Sequence, residues 1–543
     1  MIASPSQQAP RRQLDAARPA WPASRRQAIV AIAALLALTA VLRLPGITRP
    51  LVGAFATKNA VYAMIARNWA EGRASPWRPT LDVLAGGERS WHLVEFPVAA
   101  YLSGGLWKLC GGSLDVWGRL TSVGFSVASV GLLFSLVRRW HGPSAARGAA
   151  ATLALSPVSV IYGQSFMLEA SVVCLTLATM LSFDVWLDGR RTRWLFAAAC
   201  CLALLLLTKI YMLALLLPLG WMAVRALVPS GSNGMTRLWH RFTLPQAPTR
   251  SSRNAIEGVP YRTMAGLLAV ATLSVLPAAA WYADAYRTAA PENPLASRVF
   301  YSVRQSGEAH AWPHPLLRGG AFYRQVLDDL SGVALTPLGL GLALVGLWNR
   351  AWRRHAAWLA AMALLGLALP RKFHEMNYYY LVVLPPLCVL AGLGWQLLYE
   401  RLRPGRAAVA GVLAVALLFS LRYAARPAFA TPMEDRGVTA AAAAVRELTS
   451  PDEPVATMHG STIDLLYYCN RAGWALSPDD PLLTEKLADC RRGGARLLAL
   501  AGTLDEEDAR RYDELLAGCE LLRLGDGFRI YRTSSASRIP PRR

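Results

Sequence analysis

Apolar runs of about twenty residues recur along this chain, and each is long enough to cross a bilayer as a helix. Helices satisfy their own backbone hydrogen bonds, which is what a segment in lipid must do. Hydrophobic residues make up 54% of the 543 residues. We therefore predict a polytopic α-helical membrane protein with about eleven spans, at residues 27–45, 117–137, 145–163, 167–187, 193–207, 210–225, 264–284, 330–349, 355–370, 378–398 and 406–422.

The net charge of +22 is distributed in a pattern typical of membrane topology. Alternate short loops carry arginine clusters: Arg138, Arg139 and Arg147; Arg190, Arg191 and Arg193; Arg350, Arg353 and Arg354; Arg401, Arg403 and Arg406. The positive-inside rule places these loops in the cytoplasm, together with the basic N-terminus 1–26 and the Pro/Ser-rich loop 226–262. We therefore predict a multi-pass protein of a bacterial inner membrane, in contact with membrane lipids and not with nucleic acid.

The same topology places residues 46–116, residues 285–329 and the segment after 422 outside the cytoplasm. Within 46–116, the short apolar stretch Phe96 to Gly111 predicts a helix lying on the membrane surface. Residues 423–535 alternate helical stretches (VTAAAAAVRELT, DEEDARRYDELLAG) with strand-like ones (PVATMH, ARLLALAG, FRIYRT), which predicts a small α/β domain. Two of the three cysteines Cys469, Cys490 and Cys519 could form a disulfide. Residues 536–543 have a composition typical of disordered segments.

Lys209 interrupts the apolar stretch from Trp194 to Val224. A lone lysine in the middle of a membrane is costly. Two shorter helices that turn at Thr208–Lys209 would instead bring the ammonium group to the membrane surface. That surface also receives Glu169 and His374, so it is a candidate site for chemistry on a charged lipid.

Three carboxylates are candidates for catalysis at this surface. Glu169 begins the fourth span, Glu95 precedes the surface helix, and Asp82 lies earlier in the first loop. Such an acid can take a proton from an acceptor hydroxyl, or hold a divalent cation against a phosphate, with Glu169 the first choice for the cation. The alternative for each is an ordinary acid that forms surface hydrogen bonds.

Basic residues near these acids are candidates for binding a phosphate. Lys209 could pair with a phosphate or simply extend to the membrane surface. His374, with Arg371 nearby, precedes a span that opens with Tyr378, where aromatic residues often mark only the membrane boundary. The sequence has no GxxxxGK[ST], no clear GxGxxG after a strand and no GxSxG, so ATPase, Rossmann oxidoreductase and serine hydrolase functions lack support.

The order of these segments resembles a known family. KNAVYAMIARNWAEG and VEFPVAAYL in the first loop are followed by ALSPVSVIYGQSFMLEA, LLLLTKIYMLALLLPL, HEMNYYYLVVLPPL and LLYYCNRAGW. This series is similar to the C-fold membrane glycosyltransferases that use polyprenyl-phosphate sugars. The nearest branch is the bacterial one that resembles protein O-mannosyltransferases and the lipid A aminoarabinose transferases.

The resemblance implies an inverting transfer from a polyprenyl-phosphate monosaccharide to a lipid, glycan or protein acceptor, at the outer face of the membrane. In that family one acid lies in the first loop and another at the start of the fourth helix, where Glu169 stands. Glu95 matches an acid ahead of the Phe-Pro pair, and Lys209 matches the lysine of the LTK stretch. His374 and Tyr378 match the polar, aromatic opening of the late helix.

One departure from the family concerns the segment Ala56 to Val61, where relatives carry an Asp and this chain has none. Lys58 occupies this segment and could contact the lipid phosphate instead. Either Glu95 or Asp82 then serves as the first-loop acid, or the substrate requires another arrangement, or the enzyme is impaired. Two other classes remain open: a transporter or flippase of a lipid-linked sugar, and a non-catalytic membrane scaffold.

Overall fold

The computed structural model describes residues 25–227, 259–288, 314–502, 512, 516 and 519–533. Several predictions fall wholly or largely outside these residues. They are the N-terminus 1–26, the loop 226–262, the first part of 285–329, the helical stretch DEEDARRYDELLAG and the tail 536–543.

Helices dominate the described chain. They are α1 (Arg25–Val41), α2 (Ala56–Ala70), α3 (Val98–Cys110), α4 (Leu114–His141), α5 (Pro143–Leu155), α6 (Pro157–Tyr162), α7 (Glu169–Gly189), α8 (Thr192–Thr208), α9 (Leu216–Leu227), α10 (Val259–Thr288), α11 (Gly320–Asp329), α12 (Thr336–Gly346), α13 (Ala356–Ala368), α14 (Pro370–Glu375), α15 (Tyr379–Leu402), α16 (Arg406–Phe429), α17 (Gly437–Leu448), α18 (Asp464–Cys469) and α19 (Leu483–Arg492).

Among the described helices, five are long and apolar enough to cross a membrane: Leu114–His141, Glu169–Gly189, Thr263–Thr288, Tyr379–Leu402 and Ala407–Ala424. A sixth span results if Gly320–Ala334 and Thr336–Gly346, which meet at 107°, are counted together. Every predicted span overlaps a helix, and the shorter ones correspond to helices such as α1, α8 and α9. The chain is therefore a multi-pass membrane protein, and the number eleven stays a prediction.

The predicted turn at Lys209 is confirmed. Helix α8 ends at Thr208, Lys209 is extended (φ −148°, ψ 100°), and a short 3₁₀ turn at Ile210–Leu215 leads into α9. A second break separates α5 from α6 at Pro157, which lacks a backbone N–H. There the buried guanidinium of Arg43 donates to the carbonyl oxygens of Ala154 and Ser159, so the break is stabilised within the protein.

Glycines let α15 approach its neighbours closely. A Cβ at Gly394 would lie 1.9 Å from the carbonyl oxygen of Leu342 in α12, and one at Gly392 would lie 2.4 Å from that of Ala145 in α5. Small residues at such crossings allow backbones to pack tightly in membranes. This packing fixes the middle of α15 against α5 and α12.

The first loop, residues 46–116, is well structured. Helix α2 is buried along most of its length, and α3 confirms the short helix predicted at Phe96 to Gly111. Leu102 and Leu109 on α3 are exposed, as expected of a helix at a membrane surface. Between the two helices, β1 (Thr80–Ala85) and β2 (Glu88–Trp91) form an antiparallel hairpin that the sequence analysis did not predict.

The segment after α16 forms an α/β domain, here called the tail domain (430–533), so the predicted boundary at 423 lies within α16. Its strands are β3 (Val455–Met458), β4 (Gly473–Leu476), β5 (Leu497–Ala501), β6 (Glu520–Gly525) and β7 (Phe528–Arg532). The first-loop hairpin joins them in one seven-stranded sheet of order β2-β1-β4-β3-β5-β7-β6. β1 pairs with β4 through Val83 and Gly473. Among the described residues, no disulfide joins Cys469, Cys490 and Cys519.

Side chains also join the tail domain to the rest of the chain. Asp115, at the start of α4, accepts hydrogen bonds of 2.6 Å from the hydroxyl groups of Tyr467 and Tyr468. Arg67 on α2 donates to the carbonyl oxygen of Tyr467 at 3.0 Å. The paired tyrosines of LLYYC therefore bind the tail domain to the first loop.

Candidate active site

Glu169 is the first residue of α7, and its side chain is completely buried. Within the described part of the chain, neither of its carboxylate oxygens has a hydrogen-bond partner. Burying an ionised carboxylate without such partners is unfavourable unless nearby cations compensate. Glu169 is thus held by charge while both oxygens remain able to accept a proton or a hydrogen bond.

Two lysines supply this compensation from different elements. The Nζ of Lys209, at the break after α8, lies 3.5 Å from Oε1 of Glu169, and the Nζ of Lys58, in the first turn of α2, lies 3.6 Å away. The side chain of Lys209 is only 2% exposed, whereas that of Lys58 is 27% exposed. Of the two, Lys58 is accordingly the cation that a ligand could reach.

Glu95 belongs to the same cluster but is fully engaged. One of its oxygens accepts a hydrogen bond from the ammonium group of Lys209, and the other accepts one from the hydroxyl of Tyr62. Burial opposes ionisation of Glu95, but the ammonium groups of Lys209 and Lys58 outweigh it and lower its pKa to about 2. A carboxylate with so low a pKa is a poor proton acceptor at neutral pH.

Aromatic rings border the cluster. The Nζ of Lys58 lies 4.3 Å from the ring centroid of Tyr378, which is within the range of a cation–π interaction. Phe55 and Tyr162 pack edgewise against Tyr378. Tyr378 therefore contacts Lys58 at the edge of the cluster, and its role in binding the donor stays a prediction.

Sequence reasoning missed three tyrosines at this site: Tyr62, Tyr162 and Tyr211. Tyr62 follows Lys58 by four residues on α2, a spacing that places both on one face of a helix and could have revealed it. Tyr162 donates to the side-chain oxygen of Asn377. Tyr211, two residues after Lys209, has a buried hydroxyl with no hydrogen-bond partner among the described residues.

His374 and Arg371 are not brought into the cluster. His374 is exposed, and its ring lies 6.4 Å from that of Phe322. Arg371 is also exposed, and it forms an ion pair of 2.6 Å with Glu375 on the same helix. Their predicted role in binding a phosphate receives no support from this geometry.

Asp82 lies in a different cluster, and its predicted role as a base is not supported by its contacts. Its Oδ2 is 2.6 Å from a guanidinium nitrogen of Arg67, and its Oδ1 accepts from Arg89 at 3.1 Å and from Asn68 at 3.2 Å. Both oxygens are engaged and the residue is buried. These contacts are those of an acid that stabilises the first loop.

The residues around Glu169 do not fit a divalent cation. Among the residues that the structure describes, no group of three or more His, Cys, Asp or Glu side chains could hold a metal ion. The two ammonium groups within 3.6 Å of Glu169 would also repel such a cation. The arrangement is better suited to a carboxylate base beside an anionic ligand.

Comparisons with known proteins agree with this architecture. Residues 95–230, which include Glu95, Glu169 and Lys209, match the family model described as dolichyl-phosphate-mannose-protein mannosyltransferase. The chain is similar to ArnT from Cupriavidus metallidurans bound to undecaprenyl phosphate, with a TM-score of 0.56, 15% identity and coverage of 94% of this chain and 98% of that one. The fold is that of the C-type membrane glycosyltransferases.

Two further structures have this fold. The apo state of the same ArnT gives a TM-score of 0.55 at 14% identity, with 93% of this chain and 98% of that one covered. The apo form of the Archaeoglobus fulgidus oligosaccharyltransferase gives 0.50 at 13% identity, with 88% and 70% covered. A search of curated protein sequences finds no match. The predicted resemblance to protein mannosyltransferases and ArnT is thus confirmed.

Proposed function

We propose that this protein transfers a sugar from a polyprenyl-phosphate monosaccharide to a hydroxyl group of a lipid, glycan or protein acceptor at the outer face of the membrane. The observation that carries the proposal is the fully buried Glu169, whose two oxygens lack hydrogen bonds in the described chain while two lysines approach one of them. The mannosyltransferase family model and the ArnT structure with bound undecaprenyl phosphate support a lipid-phosphate donor.

Glu169 acts as the general base. It takes the proton of the acceptor hydroxyl as that oxygen attacks the anomeric carbon of the donor sugar. The bond from that carbon to the phosphate oxygen breaks, and the polyprenyl phosphate leaves with its electron pair. Attack opposite to the leaving phosphate inverts the anomeric configuration.

Lys58 binds the phosphate of the donor. It is the more exposed lysine of the cluster, and the Tyr378 ring beneath it limits its movement. A positive charge in this place stabilises the negative charge that develops on the leaving phosphate. Lys209, bound to Glu95, acts as a positioning residue that holds the charge of Glu169 in place.

The length and charge of α7 support the proposed outer location. Its 21 residues span about 30 Å, close to the thickness of a bilayer core. Glu169 begins the helix, and the cluster of Arg190, Arg191 and Arg193 follows its end. The positive-inside rule places the arginines in the cytoplasm and so places Glu169 at the opposite face.

A transfer assay with the purified full-length protein tests the proposal. The donors are a panel of polyprenyl-phosphate monosaccharides, and the acceptors include lipid, oligosaccharide and peptide hydroxyl compounds. We expect transfer from at least one donor, with inverted anomeric configuration in the product by NMR. Retained configuration would contradict the mechanism. Movement of a labelled donor across the membrane of proteoliposomes, without sugar transfer, would instead favour a flippase. The absence of both transfer and movement would favour a scaffold.

A further inference from the structure

A crevice of about 270 Å³ lies where the tail domain meets the first loop. It is lined by residues of both parts, including Arg67 and Glu71 at the end of α2, Trp107 on α3, and Arg446 and Asn470 in the tail domain. Its volume is near the lower end of the ~300–1,000 Å³ that is typical of small-ligand pockets. None of the residues assigned to catalysis above lines it.

We propose that this crevice binds a sugar ring of a glycan acceptor. The half-buried Trp107 offers an apolar ring face, and the carboxylate, guanidinium and amide groups of Glu71, Arg446 and Asn470 offer hydrogen bonds around it. An aromatic face with planar polar side chains at its edge suits a sugar, whose ring has an apolar face and a rim of hydroxyl groups.

The aromatic side of the crevice is held rigidly. The indole N–H of Trp107 donates to the carbonyl oxygen of Gly112 at 3.0 Å, and that of Trp117 donates to the carbonyl oxygen of Gly111 at 2.8 Å. Both glycines have positive φ angles, 70° and 81°, which L side chains rarely adopt. The Trp107 ring is thus fixed at its edge, and a fixed ring loses little entropy when a ligand stacks on it.

The polar side is held by the contacts that bind the tail domain to the first loop. Arg67 donates to the carbonyl oxygen of Tyr467, and Arg446 donates to that of Tyr468. Asn470 ends α18 in a left-handed conformation with its side chain exposed. The crevice therefore exists only because the tail domain is docked, which gives this domain a role in binding an acceptor.

Helix α2 relates the crevice to the active site. Tyr62 on α2 binds Glu95, and the crevice residues Arg67 and Glu71 follow it by five and nine positions, about 8 and 14 Å along the helix axis, with Glu71 directly after the end of α2. Neither Glu169 nor the two lysines beside it line the crevice, so a sugar held there is a part of the acceptor other than the one that reacts. The assignment of the crevice to an acceptor rests on the proposed function, and it implies an acceptor of several sugar units.

Binding of the full-length protein in detergent to an array of immobilised oligosaccharides, from one to six units long, tests this inference separately from catalysis. We expect binding that increases with length, that Glu169→Gln retains, and that Trp107→Ala weakens about tenfold, or ~1.4 kcal/mol. Trp107→Phe, which keeps an aromatic face, and Trp348→Ala, at a distant and 76% exposed tryptophan, are the controls and should bind normally.

A second crevice variant keeps the test valid if Trp107→Ala misfolds. Asn470→Gly keeps the left-handed backbone but removes the amide, and it should also weaken binding. The inference would be overturned by an absence of oligosaccharide binding, by capture of peptides only, or by crevice variants that bind as tightly as the unmodified protein. Glycan binding that depends on Trp107, without transfer from any donor, would keep the crevice and reject the proposed function.

Discussion

Two buried acids, Glu169 and Asp82, have opposite surroundings. Asp82 uses both oxygens in short contacts with Arg67, Arg89 and Asn68. Glu169 has two ammonium groups at 3.5 and 3.6 Å and no hydrogen bond in the described chain. A buried acid with all its partners stabilises the fold, whereas one with charge compensation but open acceptor sites is ready for a substrate.

The largest expected effect comes from Glu169→Gln, which keeps the shape of the side chain but removes the proton acceptor. We expect the rate of sugar transfer to fall by about a hundredfold or more, with little change in the midpoint of thermal unfolding. Turnover and thermal unfolding of the same preparation measure the two effects. Glu400→Gln, at an exposed acid near a helix end, is the matched control and should transfer normally. Near-normal transfer by Glu169→Gln would show that Glu169 is not the catalytic base.

Asp82→Asn should have the opposite profile. It leaves the buried guanidinium of Arg67 without its charged partner, and the loss of one member of a buried pair costs roughly 3 kcal/mol. We expect a lower free energy of unfolding in denaturant titration, and normal turnover in the fraction that remains folded. A stable Asp82→Asn protein without activity would move the catalytic base to the first-loop hairpin.

Lys58→Ala tests whether the donor phosphate binds beside Glu169. If Lys58 binds the donor phosphate, its loss should raise the KM for the donor about tenfold, or ~1.4 kcal/mol, with a smaller change in kcat. Steady-state kinetics at varied donor concentration measure this, and Lys58→Arg, which retains the charge, should be less affected. An unchanged KM would remove Lys58 from the donor site.

The smallest expected effect is a pH dependence of stability, which arises from a histidine held between two buried aspartates. In the tail domain, His459 lies between Asp435 and Asp464, with nitrogen–oxygen distances of 3.0 and 2.8 Å. Burial opposes its protonation, but the two aspartates outweigh this and raise the pKa of His459 to about 9. Its contribution to stability should therefore be complete below pH ~6.5, the usual pKa of histidine, and lost as pH rises through about 9.

Thermal unfolding from pH 6 to pH 9.5 measures this contribution. The unfolding midpoint of the parent protein should fall over that range by more than that of His459→Gln, which cannot titrate. Parallel pH dependence in the two proteins would show that folding does not change the pKa of His459.

Sequence reasoning found the parts of the site that depend on apolar patterning and on rare charges. The turn at Lys209 and the meeting of Glu95, Glu169 and Lys209 follow from placing charges at the ends of apolar helices. The engagement of Glu95 by Tyr62 could not be predicted in this way, because it depends on how α2 rotates against the segment before α3. The role of Asp82 was also hidden, since Arg67 and Arg89 reach it only when the hairpin has formed.

The fold shows the same division between local and long-range information. Strands β3, β5 and β7 were predicted because their alternation and flanking turns are local signals. The β1–β2 hairpin was missed although Gly86 and Gly87 are a local turn signal between the two strands. The pairing of β1 with β4 could not be predicted, because it joins residues almost 400 positions apart, Val83 and Gly473. Short strands with such distant partners carry too few local residues to be recognised.

The pairing of β1 with β4 limits how proteins of this architecture can be recombined. A tail domain transplanted onto a different membrane bundle would leave the edge of β4 without its neighbour, and an open strand edge invites aggregation. The first-loop hairpin would have to be exchanged in the same step. The unit of exchange is thus made of two segments that are distant in the gene. Chimeras joined only at the end of α16 would separate these two segments.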